Sequence, residues 1–220
     1  MNKQLIDRIH GRFQEYKFKD RTEAKAMPIL ERLGEYYFPA LEHSFRVAEI
    51  GAEIACLTYT MDKKDVWLPG IMHDIGKLGI SLELLTKSNH WTEEDRIKME
   101  KHVEIGCRML AGLLDFSALA VFYSHYFKRE GGYPTDEDLP VIFGERYDKW
   151  HEQNKFKAIL CGRWINLADE YDATRTRRND HFSPGIPKLL TPEEVRRTLI
   201  KNNQDQIILI ERLYEIGIFN

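Results

Sequence analysis

The chain has 220 residues, 43% of them hydrophobic, which suffices for one large domain, or one domain with an appendage, around a substantial core. A formal net charge of -3 supplies no global basic field and argues against a nucleic acid polymer as partner. Three cysteines without paired spacing disfavour a disulfide framework or a Cys-rich zinc site, the charged start from Met1 to Lys19 lacks the apolar core of a signal peptide, and no apolar run approaches bilayer length, so a soluble cytoplasmic protein is expected.

Apolar residues recur mostly at steps of three and four, and strand-like alternation is scarce, so the fold is read as all-α. The spacing predicts helices at about 3–17, 22–33, 39–58, 63–79, 92–112, 116–127, 155–174, 191–202 and 203–216. Leu5, Ile9 and Phe13, then Ala24, Met27, Leu30 and Leu33, make the first two amphipathic, a helical extension over 1–37 with its second helix kinked or restarted at Pro28. Residues 38–220 form the main domain. Thr92 precedes an acidic first turn, and Thr191-Pro192-Glu193-Glu194 joins an N-cap Thr to a first-turn Pro and a capping-box Glu, so helices begin at both places. The Pro- and Gly-bearing stretches 131–147 and 177–190 read as loops.

Several polar residues fall on the apolar faces of these helices. His43 continues at helical spacing into Val47, Ile50 and Ile54. His73-Asp74 lies on an otherwise apolar segment. His102 shares a stripe with Met99, Gly106 and Met109, and His125 follows Ala118, Val121 and Phe122. Asp169 sits on a seam with Ile159, Gly162, Asn166 and Ala173. For each residue alone, a hydrogen-bonded core group is the ordinary explanation. Four His and two Asp on five helices, all facing a core, are more easily satisfied by converging on cations. Two metals would suffice, with positions left for water and substrate, as metal-assisted hydrolysis requires.

In this order, His43, His73-Asp74, His102, His125 and Asp169 resemble the HD superfamily of metal-dependent phosphohydrolases, in its HD-GYP branch, over roughly residues 42–178. His73-Asp74-Ile75-Gly76-Lys77-Leu78-Gly79 is similar to the family's HD-x-GK-x-G segment, and His102-Val103-Glu104-Ile105-Gly106 to its H-P-E-I-G segment. Gly132-Tyr133-Pro134 is the GYP string, while Arg163 and Ala168-Asp169-Glu170-Tyr171-Asp172-Ala173 resemble the A-R-I...A-D-x-x-D-A helix. There are departures as well. Ser124 stands where the family has the first His of a pair, and Arg129-Glu130 replaces its D-G. Pro39 occupies the position of the Glu found in members with a third metal, which favours a dinuclear site. About a dozen inserted residues follow Pro134, and the family's R-P-Y-R is reduced to Arg178-Asn179-Asp180-His181.

The resemblance implies an HD-domain helical bundle with an N-terminal helical extension, working as a phosphodiesterase on a cyclic dinucleotide such as cyclic di-GMP. The expected cofactors are two divalent metal ions, Fe or Mn first, with Zn, Co, Ni or Mg as alternatives. Asp74 is expected to bridge them, with His43, His73 and Asp169 on one and His102 and His125 on the other. Lys77, one turn beyond the pair, is aimed at a phosphate oxygen, Tyr133 at a base, and Arg175 and Arg178, with Arg177 between them, at a phosphate on the rim. His10, His90, His151 and His181 lie outside this pattern and read as surface residues. Partners are a small nucleotide and, in one reading, a second copy in a homodimer, with neither membrane nor nucleic acid polymer. The alternatives left open are a nucleotide phosphomonoesterase, an HD-type di-iron oxygenase and a catalytically inactive nucleotide-binding module.

Overall fold

In a computed structural model of the chain, residues 3–88, 90–127, 132–176 and 189–220 are described, and among them every regular element is helical. The α-helices are α1 (Lys3–Glu15), α2 (Asp20–Tyr36), α3 (Phe38–Thr58), α4 (Lys63–Met72), α5 (Leu82–Leu85), α6 (Glu93–Leu110), α7 (Asp115–Phe122), α8 (Leu139–Phe143), α9 (Lys149–Thr176), α10 (Pro192–Asn202) and α11 (Ile207–Glu215). Short 3-10 turns join several of them, notably Ile75–Gly79 after α4 and Tyr123–His125 after α7.

The core has two lobes that meet at α3. Leu41, Phe45, Ala48 and Ala52 face one lobe, which also takes Ile9 and Phe13 of α1, Leu30 and Leu33 of α2, and Trp67 and Ile71 of α4. Val47, Ile54 and Ala55 face the other, filled by Ile165 and Leu167 of α9, Leu199 of α10 and Leu213 of α11. α3 is therefore apolar on more than one side, as a central helix must be. α9 is the second such element, buried without a break from Cys161 to Ala168.

The first two helices share the core of the main domain. The Phe13 ring meets the edge of Trp67 with centroids 5.2 Å apart. Trp67 Nε1 donates to Glu49 Oε1 at 2.7 Å, and Arg12 Nε donates to the same carboxylate at 2.9 Å, tying α1 to α3 and α4. α2 runs through Pro28 as one helix with Met27, Leu30 and Leu33 on its buried face, so the helix does not restart there. Both predicted caps are present: Thr92 accepts from the Asp95 N–H and Thr191 from the Glu194 N–H, each with the reciprocal side-chain bond.

Three boundaries differ from the sequence reading. The helix expected to run from about 63 to 79 stops at Met72, and Asp74 leaves the α-region at φ -101°, ψ 5°. The stretch expected to be one loop holds α8 and two 3-10 turns, Asp136–Asp138 and Gly144–Arg146. α9 begins at Lys149, well before the expected start, which puts His151 on a packed helix. His151 is buried, ringed by Phe143, Tyr147 and Trp150, with Nδ1 2.9 Å from Asp148 Oδ1, so its reading as a surface residue is corrected.

The break after α4 is a packing constraint. The turn at Gly76 lies so close to α6 that a Cβ there would sit 1.7 Å from the His102 carbonyl oxygen and 2.6 Å from the Gly106 nitrogen. Substituting Gly76→Ala must displace backbone, and by the usual cost of overpacking should destabilise the protein by about 3 kcal/mol, lowering the melting temperature by about 6–12 °C. Gly11→Ala in α1, whose Cβ would meet nothing within 4 Å, should instead leave stability unchanged or raise it by about 0.5–1 kcal/mol. Thermal denaturation of the two variants side by side checks both.

Candidate metal centre

Six elements converge on one buried cluster. His43 comes from α3, His73 caps α4, Asp74 enters the 3-10 turn, His102 lies on α6, His125 ends the turn after α7, and Asp169 lies on α9. The four imidazoles and Asp74 are buried. His43, His73 and Asp169 can each offer one ligand atom, a ring nitrogen or a carboxylate oxygen, and these atoms all lie within 4.8 Å of one another.

Asp74 sits between two groups of histidines. Its Oδ2 is 3.8 Å from His43 Nε2 and 3.6 Å from His73 Nε2, whereas its Oδ1 is 3.5 Å from His102 Nε2. His102 and His125 bring their Nε2 atoms to 3.1 Å, and Asp169 reaches from His43 Nε2 at 2.9 Å toward His125 Nδ1 at 3.9 Å.

Tautomers are set from behind. His43 donates from Nδ1 to Asp172 Oδ2 at 2.7 Å, His73 from Nδ1 to the Gly70 carbonyl at 2.7 Å, and His102 from Nδ1 to the Met99 carbonyl at 2.6 Å. His73 and His102, which donate from Nδ1 to fixed carbonyls, keep Nε2 as the lone-pair nitrogen facing the cluster, whereas His43 lies between two carboxylates, Asp172 at Nδ1 and Asp169 at Nε2, and its Nε2 would face a cation only by giving up a proton. His73 Nε2 is buried and has no hydrogen-bond partner among the described residues. A buried lone pair aimed at carboxylates is costly unless a cation lies between them, so the donor set fits a divalent metal of the kind imidazole and carboxylate share.

Burial and charge oppose each other throughout the site. Burial pushes the Asp74 carboxyl up, but Lys77 and the surrounding imidazoles hold it well below the usual range. Asp169 follows the same logic, with His43 the main opposing partner. Burial likewise lowers His43, yet its bonds to Asp169 and Asp172 outweigh that and leave it raised. Burial dominates at His73, which is lowered and so held as the neutral ring a metal requires.

The remaining sequence candidates are distributed around this centre. Lys77 Nζ donates to Asp74 Oδ2. Tyr133 lies against His125 with centroids 5.3 Å apart, so its ring packs on an imidazole. Arg175 lines a cleft of about 560 Å³ that opens beside His43, Lys77 and Asp172, and its Nη1 donates to Tyr171 Oη at 3.1 Å. Arg178, Arg177 and the replaced string at 129–130 lie outside the described residues. Ser124 is buried and donates to the Val121 carbonyl at 2.7 Å. Two neighbours of the site were given no role from the sequence: Asp172, quoted only as the second Asp of the A-D-x-x-D-A match, and Arg46, not singled out at all. The signal was spacing: each lies three residues beyond a candidate, Arg46 after His43 and Asp172 after Asp169, on the same helical face.

The chain matches the HD domain family over residues 40–174. It is similar to a cyclic di-GMP phosphodiesterase of Vibrio cholerae serotype O1, 33% identical over 116 residues that cover 49% of this chain and 20% of the relative. It is also similar to 3'3'-cGAMP-specific phosphodiesterase 3 of the same organism, 30% identical over 152 residues, covering 67% of this chain and 30% of the relative. The chain therefore spans less than a third of the length of either. No helix among the described residues is long and apolar enough to cross a membrane.

A site that fits a cation is stabilised when one binds. Metal-stripped protein given Mn2+ at a hundred times its dissociation constant should gain about 2.7 kcal/mol, seen as a rise in melting temperature that chelator reverses. His73→Ala, which removes the orphaned Nε2, should lose most of that rise.

Proposed function

Because the chain belongs to the HD domain family, we propose that it is a dinuclear metal-dependent phosphodiesterase whose substrate is a cyclic dinucleotide such as cyclic di-GMP. The observation that carries this reading is Asp74, one carboxylate with Oδ2 toward His43 and His73 and Oδ1 toward His102. A carboxylate placed this way is suited to two ions at once, with His43, His73 and Asp169 completing one and His102 and His125 the other. Fe and Mn suit such mixed imidazole and carboxylate ligands, as do Zn, Co and Ni, with Mg last because it prefers oxygen.

Divalent cations in a site of this kind supply Lewis acidity and an activated water for in-line attack at phosphorus. The chain's own residues provide the rest. Lys77 holds a positive charge beside Asp74 and on the wall of the cleft, where a nonbridging phosphate oxygen would exchange for its bond to the carboxylate. Arg175, whose guanidinium bonds only a neutral phenol among the described contacts, stands on the same cleft for a second anionic group. A cyclic dinucleotide carries two phosphates and would use both cations. Tyr133 packs against His125 and would steady that ring.

Purified protein loaded with Mn2+ or Fe2+ should hydrolyse cyclic di-GMP or a related cyclic dinucleotide, and turnover confined to mononucleotides would remove the substrate assignment. Asp74→Ala should abolish turnover. Lys77→Ala should lower kcat by about 100-fold, the scale of losing one charge at a reacting phosphate. Arg175→Ala should raise KM for the dinucleotide about tenfold, the value of one hydrogen bond to a charged group, while leaving a single-phosphate ester unaffected.

A further inference from the structure

The three imidazoles that donate from Nδ1 are not anchored alike. His73 and His102 donate to the carbonyls of Gly70 and Met99, neutral acceptors fixed by their own helices. His43 donates to Asp172 Oδ2 at 2.7 Å, an oxygen of a buried side-chain carboxylate. Asp172 is in turn gripped by Arg46, whose Nε donates to Oδ1 at 2.7 Å and Nη2 to Oδ2 at 2.9 Å. The planar fork matches both carboxylate oxygens at once, so Asp172 has one orientation available. Arg46 itself is half-exposed, and with Asp172 it lines the cleft beside His43.

We infer that Asp172 and Arg46 are positioning residues for the metal centre: together they orient His43 and make its Nε2 the most electron-rich of the three anchored imidazole nitrogens. A carboxylate accepting the Nδ1 proton raises the basicity of the opposite nitrogen more than a backbone carbonyl does, and it fixes the ring plane. The removal of Arg46 would leave Asp172 buried without the two bonds that fix its plane, so the ring it holds would lose its alignment as well. Neither residue touches the reacting atoms. Their effect passes through His43.

This inference rests on the reading of His43 as a metal ligand, and the experiment separates the two. Metal-stripped protein is titrated with Mn2+ against a competing chelator, and stoichiometry and affinity are read together with the thermal melt of each metal-free variant. Asp172→Asn, nearly isosteric, should weaken one binding step by about 10- to 100-fold, the range found for such outer partners of ligating histidines. Arg46→Met should weaken the same step by about tenfold, and Arg46→Lys should recover only part of that loss because an ammonium meets one oxygen instead of two. A purely structural role would lower the melting temperature of the metal-free protein and leave Mn2+ affinity at the wild-type value. Wild-type protein that takes up no Mn2+ overturns the metal reading itself. Wild type that binds two ions while Asp172→Asn and Arg46→Met bind them equally well overturns this inference alone. If Asp172→Asn does not fold, the Arg46 pair decides, since that side chain lies partly in solvent.

Discussion

The site depends on one contact, the approach of the Gly76 turn to the backbone of α6. No side chain fits between the Gly76 Cα and the His102 carbonyl, and Gly106 faces the same turn, where a Cβ would come to 3.3 Å from the Gly76 nitrogen. That contact needs the chain to turn after α4, which ends at Met72. A helix continued through residue 79 would carry Asp74 along its own axis. Ending early, the chain turns and places Asp74 between the histidines of α3 and α4 on one side and that of α6 on the other. Backbone packing thus decides which ligands can share a carboxylate.

Around that contact the protein has gathered charge in a place where charge is expensive. Asp74 and Asp169 are largely out of solvent, and burial pushes each toward the neutral form while their partners oppose it. What keeps them ionised is distributed among Lys77 and the imidazoles of four different elements. Such an arrangement contributes little to stability by itself, and breaking one member leaves the others uncompensated. Its value is functional: a cluster of ionised oxygens and neutral nitrogens, held by elements that pack rigidly for other reasons, is ready for cations without reorganising. The two-lobed core supplies the rigidity, with α3 and α9 carrying ligands from the centre of the molecule instead of its rim.

Much of this could be read from the residues. Polar side chains on apolar stripes, His43 before Val47 and Asp169 after Asn166, marked the inward faces, and those stripes survive because α3 and α9 are long enough for several turns to repeat. Thr92 and Thr191 marked helix starts because a cap is a local interaction, complete within four residues. Less local features escaped. The end of α4 is set by α6, far along the chain, and nothing within residues 63–79 announces it apart from Gly76. The early start of α9 was hidden because its first turns carry Trp150, His151 and Phe156 in a pattern with no single apolar face. His151 in consequence looked like a surface residue, although aromatic rings from α8 and the following turn close over it. Arg46 and Asp172 looked like ordinary polar positions, since a bidentate pair between α3 and α9 appears only when the helices are laid side by side.

Gly70 illustrates a different sort of economy. Its carbonyl accepts from His73, a service any residue could render, but its missing side chain is what lets α4 lie against α3, where a Cβ would come within 2.9 Å of the Ala48 Cα. Met99, which performs the same service for His102, uses only its main chain for it. Two of the anchored ligand orientations are therefore inherited through the backbone. Over evolutionary drift, side chains beside these histidines can be exchanged without disturbing the tautomers, and the anchors would leave no trace in a comparison of side-chain identities. Of the three histidines anchored through Nδ1, His43 is the one whose anchor is a side chain that mutation can edit, so variation in the strength of this centre among related chains should be written there first.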